Sequence, residues 1–113
     1  MRKDEKIKNI CMSLKENGYI TDYRYDHFEE YDAVDPPFAV YRRVAPENFG
    51  ADGVVYRRGE NVDFEIYASD PDELISIMAV AEAAMDEAEI FYNIAADTAY
   101  IESEDFFETL YEV

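Results

Sequence analysis

Cysteine and histidine each occur once in this chain, at Cys11 and His27, and no lysine follows Lys15. A single cysteine excludes an internal disulfide framework and fits a reducing compartment. A single histidine leaves no Cys/His ligand set of the kind structural zinc uses. No apolar run approaches the ~20 residues of a membrane-spanning helix, so no membrane partner is expected. The N-terminus lacks the basic-then-apolar order of a secretory signal. There is no glycine-rich phosphate loop, no serine elbow, no internal repeat and no low-complexity segment.

Acid and apolar side chains are what the chain does have. Its 113 residues carry 27 Asp and Glu against 10 Lys and Arg, a net charge of −17, yet 49% are hydrophobic. That apolar content is too high for a disordered chain, and the length suits a single domain, residues 1–113, with one core. So negative a charge argues against general nucleic-acid binding, which works by neutralising phosphates. The charge is also uneven. Residues 1–17 hold five basic and three acidic groups, whereas residues 18–113 hold five basic and twenty-four acidic.

Residues 60–88 organise the rest. Val62, Phe64, Ile66 and Ala68 alternate with Asp63, Glu65 and Tyr67, the period of a strand with one wet face. At Asp70 the period changes. Asp70 suits an N-cap, Pro71 the first helical position, and Glu73 would close a capping box. Leu74, Ile77, Met78, Ala81 and Met85 then fall at helical spacing as one apolar stripe, with Glu82 on the polar side.

The other elements are placed around this unit. Residues 3–17 read as a helix with Ile7, Ile10, Cys11 and Leu14 on one face and Gly18 as its left-handed stop. Cys11 on that face is a buried, inert thiol. Residues 19–35 are acidic and tyrosine-rich without a clean period; a strand at 20–25 followed by a loop is the reading. His27, among Asp26, Glu29 and Glu30, is a solvated surface residue. Pro36-Pro37 forces extended backbone. Residues 38–44 form a strand with Phe38, Val40 and Arg42 on one face and Ala39, Tyr41 and Arg43 on the other, partly apolar on both and therefore central. A loop at 45–52 leads to a short strand, 54–58, whose tight connection through Gly59 predicts an antiparallel hairpin with the central strand. Beyond the second helix, 90–94 and 99–102 read as two strands joined by a hairpin-length link, and 105–113 as a last strand.

Chemistry-bearing groups are sparse. Asp63 and Glu65 share a strand face, but in so acidic a chain a solvated charged face explains such pairs. Residues 48–60 lack the spacing of a calcium loop. The doubled arginines, Arg42-Arg43 and Arg57-Arg58, stand out, because four of the five arginines beyond the first helix lie there. Two accounts remain open. They neutralise nearby carboxylates, at most ~1 kcal/mol per exposed pair, or they contact an acidic neighbouring subunit.

The order of 37–43 (PFAVYRR), 48–56 (NFGADGVVY) and 62–67 (VDFEIY), with 89–92 (EIFY), 99–104 (AYIESE) and 110–113 (LYEV) at the end, resembles the tail terminator, or tail completion, proteins of long-tailed bacteriophages of Gram-positive hosts. The proline-led strand, the Phe-x-Ala-Asp loop and the following tyrosine carry the resemblance, which runs from about residue 37 to the end. It implies an α+β protomer, a mostly antiparallel sheet of four to five strands with two helices packed on it. It further implies a hexameric ring that caps the tail tube and joins tail to head, in the virion tail and, during assembly, the host cytoplasm. Such a ring has no catalysis and no cofactor, and DNA passes through it without specific binding. The surface expected to meet a neighbouring copy, the tail tube or a head–tail connector comprises Arg42, Arg43, Phe49, Asp52, Tyr56, Arg57 and Arg58. Like-charged protomers repel, so ring closure would await the tube as template, and salt would favour self-association. The alternative is an acidic decoy that mimics DNA to block a nucleic-acid-binding protein. A small enzyme would need a deep pocket holding acids of perturbed pKa.

Overall fold

A strand whose side chains alternate in polarity becomes stable when one of its faces is covered, and here two helices cover one face of a five-stranded sheet. The structure is a computed structural model that describes residues 1–45 and 61–113. In chain order its elements are α1 (Lys3–Glu16), β1 (Asp22–Tyr25), a single 3-10 turn (Glu30–Asp32), β2 (Phe38–Val44), β3 (Asn61–Ala68), α2 (Pro71–Glu87), β4 (Asn93–Ile101) and β5 (Phe106–Glu112). The sheet order is β1-β2-β3-β5-β4, antiparallel throughout except for the parallel β1–β2 pair. This is the α+β class. Because β5 lies between β3 and β4, the two strands joined by α2 run the same way, one strand apart, which gives the helix room to cross the sheet.

β3 is the middle strand. Val62, Phe64, Ile66 and Ala68 are wholly buried, and so are Leu74, Ala81 and Met85 of α2 and Ile7 and Cys11 of α1. These residues form one core cluster with Ala39 and Tyr41 of β2 and Tyr111 of β5. The stripe read on α2 is the buried face of that helix. Asp70 is its N-cap, accepting from the Asp72 amide at 3.1 Å, one residue earlier than a capping box with Glu73 would have it.

Both helices end in paired backbone bonds around a left-handed residue. After α1, the Tyr19 and Gly18 amides donate to the Leu14 and Lys15 carbonyls, with Gly18 at φ 78°. After α2 the Ile90 and Glu89 amides reach Met85 and Asp86 in the same pattern, with Glu89 at φ 58° where glycine would be easier. Ile90 thereby tucks into the core and belongs to the helix stop, not to a strand.

Three expectations change. First, residues 93–101 are one strand, not two joined by a link. Thr98 takes φ 45° and its amide donates to the Thr109 hydroxyl at 3.1 Å, so the irregular stretch is absorbed as register shifts against β5. The hairpin comes later, where Asp105 at φ 56° closes the turn between Ile101 and Phe106. Second, the 54–58 strand lies outside the described residues, and both edges of β3 from Asp63 to Tyr67 are already taken by β2 and β5. Third, Glu82 is not on a wet face. It accepts hydrogen bonds from the fully buried Tyr111 at 2.7 Å and from Tyr92 at 3.2 Å. At i+4 from Met78 and three residues before Met85, it flanks the buried stripe.

Chemical denaturation should rank these positions. Leu74→Ala or Ile77→Ala should cost about 2–5 kcal/mol as core truncations, and Asp70→Ala about 0.5–2 kcal/mol as a lost cap. Glu82→Ala should cost about 1–3 kcal/mol by leaving the Tyr111 hydroxyl without its acceptor, while exposed Glu87→Ala should stay within about 0.5 kcal/mol. Equal midpoints for the Glu82 and Glu87 variants would contradict the tyrosine anchor.

Candidate interaction surface

β2 sends the members of the arginine doublet to opposite faces. Arg42, in register with Asp63, points away from the helices. Its Nη1 lies 2.6 Å from Glu65 Oε2 and its Nη2 4.0 Å from Asp63 Oδ2. Arg42 is therefore bound up within the protomer, as the neutralisation account has it. Arg43 is exposed, and the described residues give its guanidinium no partner; its backbone amide donates to the Tyr25 hydroxyl at 3.2 Å. Phe49, Asp52, Tyr56, Arg57 and Arg58 lie outside the described residues. Of the expected set, the described residues therefore include Arg42 and Arg43, on opposite faces of the sheet. Nearby, a cleft of about 510 Å³ opens among Val44, Asn61, Asp63, Tyr92, Glu112 and the almost fully exposed Phe91.

The face opposite the helices is not simply solvated. Glu65 is 6% exposed. Tyr67 places its hydroxyl 2.6 Å from Glu65 Oε1 and 2.7 Å from Glu108 Oε2. A phenol has one proton, so both short contacts are filled only when one carboxyl is protonated. Burial, the largest influence on Glu65, pushes its carboxyl above the ordinary range, against the pull of Arg42, and Glu108 beside it adds to the push. Burial and the two carboxylates raise the Tyr67 phenol as well. Aromatic rings wall the cluster. Phe38 stacks on Tyr67 at 4.9 Å, Phe106 meets both edge-on, and Phe28 stands on Phe38 at 5.0 Å. Arg42, Glu65, Tyr67 and Glu108 therefore join β2, β3 and β5 through shared protons and an ion pair. Sequence reading missed this. The signal was present, for Glu65 and Tyr67 sit two apart on one face, but Glu108 arrives from forty-one residues away.

Arg24 orders the acidic stretch that shows no period. Its guanidinium donates to Asp32 Oδ2 (2.6 and 3.1 Å), Asp22 Oδ2 (2.7 Å) and the Tyr23 carbonyl, and lies 5.0 Å from the Phe28 ring centroid. It thereby pins the crossover between parallel β1 and β2 across the outer face. Burial opposes ionisation of Asp22, but hydrogen bonds from Lys15, the Tyr23 amide and Arg24 outweigh it and hold the carboxyl below its ordinary value. His27, exposed as expected, is clamped between Asp26 (Nδ1, 2.7 Å) and Glu29 (Nε2, 2.9 Å), and these hydrogen bonds raise its pKa. Cys11 is fully buried, and burial pushes its thiol far up, away from the reactive thiolate. Among the described residues no group of three or more His, Cys, Asp or Glu is arranged to hold a metal ion, and no helix is long and apolar enough to cross a membrane.

Two titrations follow. A carboxyl whose folded pKa is raised stabilises fully below its ordinary value, 4.5 for Glu65, and loses that contribution as pH rises through the folded value. Urea midpoints of the wild type should therefore fall as the pH rises above 4.5 and through the folded value, and Glu65→Gln, which cannot ionise, should flatten that slope. An unchanged slope in the variant would show that the proton sits elsewhere. His27 should titrate in an NMR experiment above its ordinary 6.5, with its contribution to stability present below 6.5 and lost as pH climbs through the folded value. Asp26→Asn should bring the titration back toward normal.

No protein-family model, no curated protein and no solved structure matches this chain.

Proposed function

We propose that this chain is a non-catalytic structural protein of a long-tailed bacteriophage. It assembles as a ring, hexameric in the virion, that caps the tail tube and joins the tail to the head at the head–tail junction, after a period in the host cytoplasm. The observation that carries the reading is the resemblance of 37–43, 48–56 and 62–67 to tail terminator proteins. Its first and third segments correspond to β2 and β3, which pair antiparallel up to Val44 and Asn61. The second segment lies outside the described residues. The α+β architecture suits the same reading.

The ring reading assigns Arg43 and the 47–58 segment to contacts with a neighbouring copy, the tail tube or a connector protein. Arg42 instead holds the protomer together. A net charge of −17 favours a lumen through which DNA slides, because like charges keep phosphates from being held. The ring needs no metal and no cofactor.

Phage assembly is the test. Arg43→Glu should leave the protomer folded and yet give headless or overlong tails, as should Phe49→Ala and Arg57→Glu. Normal virions from all three would remove this surface from the mechanism. Tight binding to a DNA-processing enzyme, with tails unaffected, would favour the acidic decoy instead.

A further inference from the structure

The two edges of the sheet are treated differently. β1 is a short edge of four residues carrying Asp22 and Arg24. The Tyr23 amide is taken up by the Asp22 carboxylate at 2.9 Å, and Asp26 at φ 70° turns the chain away. Charge, shortness and a kink are the devices by which natural sheets close an edge. β4 is a nine-residue edge with no strand on its outer side among the described residues. Its two register shifts bend it, but it has no lysine and no proline.

The composition of this edge is also out of keeping with the chain. From Ile90 to Ile101 only Asp97 is charged, whereas a third of the whole sequence is charged. Ile94 and Tyr100 are 42% and 53% exposed, Phe91 is 92% exposed, and Ala95 and Ala99 face solvent too. A basic partner would gain most on the carboxylates that cover the rest of the molecule. A nearly neutral apolar strip on a chain of −17 suits a partner as acidic as the chain itself, because it lets two such bodies meet with the fewest carboxylates face to face. The partner that meets this condition by construction is another copy, and the strip that best matches β4 is the β4 of that copy.

We propose that the outer edge of β4 is a self-association site, at which two copies pair antiparallel about a two-fold axis and join their sheets into one. Backbone N–H and C=O groups supply the bonds, as in strand addition elsewhere. Ile94, Tyr100 and Phe91 supply the apolar burial. The inference goes beyond the ring reading and does not use it. A two-fold contact closes on itself, whereas a ring requires head-to-tail contacts.

Sedimentation equilibrium from about 10 μM to about 1 mM, at low salt and at roughly 0.5 M salt, tests the site. The wild-type mass should rise from one chain to two, and do so at lower concentration in high salt. The double variant Ala95→Glu/Ala99→Glu adds two carboxylates to the strip in each copy and should weaken association by about tenfold or more, with an unchanged circular dichroism spectrum. Amide hydrogen exchange of the wild type gives a second readout that needs no variant. β4 amides should gain protection as concentration rises, while β1 amides should not. A single chain at about 1 mM in high salt, a double variant that pairs as tightly as wild type, or association without added β4 protection would each overturn the proposal.

Discussion

Val62, Phe64, Ile66 and Ala68 are each removed entirely from water, and that holds only while β3 keeps a strand on both sides and both helices above it. β2 and β5 saturate its backbone edges, and α1 and α2 lie over the same face. A shift of β3 by one residue would turn Asp63, Glu65 and Tyr67 into the core and expose the apolar set, so the register is strongly determined. The positions of Arg42 beside Glu65 and of Tyr67 beside Glu108 both descend from that register.

The second constraint is electrostatic. From residue 18 on the chain has five arginines to set against twenty-four acids, and few carboxylates can be met by a cation. Tyrosine hydroxyls take over as donors. Tyr67 reaches Glu65 and Glu108, Tyr92 and Tyr111 reach Glu82, and Tyr100 reaches Asp105. A phenol offers apolar area to the core and one proton to an acceptor at its rim. It therefore lets an acidic sequence place carboxylates against its core without a matching lysine. This accounts for four of the ten tyrosines, Tyr67, Tyr92, Tyr100 and Tyr111, without assigning their rings to a binding surface. The arginines are used in the same economical way. Arg24 and Arg42 each gather two or more partners, and Arg43 is left facing outward.

What was legible in the sequence was whatever depends on neighbours along the chain. The alternation at 62–68, the stripe from Leu74 to Met85, the Asp70 cap and the Gly18 stop are set by periodicity and by φ preferences within a turn or two, so they could be read from residue order. The two strands expected at 90–94 and 99–102 show the limit. Thr98 was free to end a strand or to be absorbed as a bulge, and the Thr109 hydroxyl that receives its amide comes from another strand.

Which strands pair, and which face each charged residue meets, was decided only by the tertiary structure. Nothing near Glu82 in the sequence announces Tyr111, and nothing near Tyr67 announces Glu108. Their contacts exist because β5 inserts between β3 and β4. The acidic segment after Tyr19 is ordered by Arg24 reaching Asp32 across a turn, with no period to reveal it. Local order follows from the chemistry of adjacent residues, because their separation is fixed by covalent geometry. Long-range pairing follows from which apolar faces find each other, and a single sequence states the faces without stating the match.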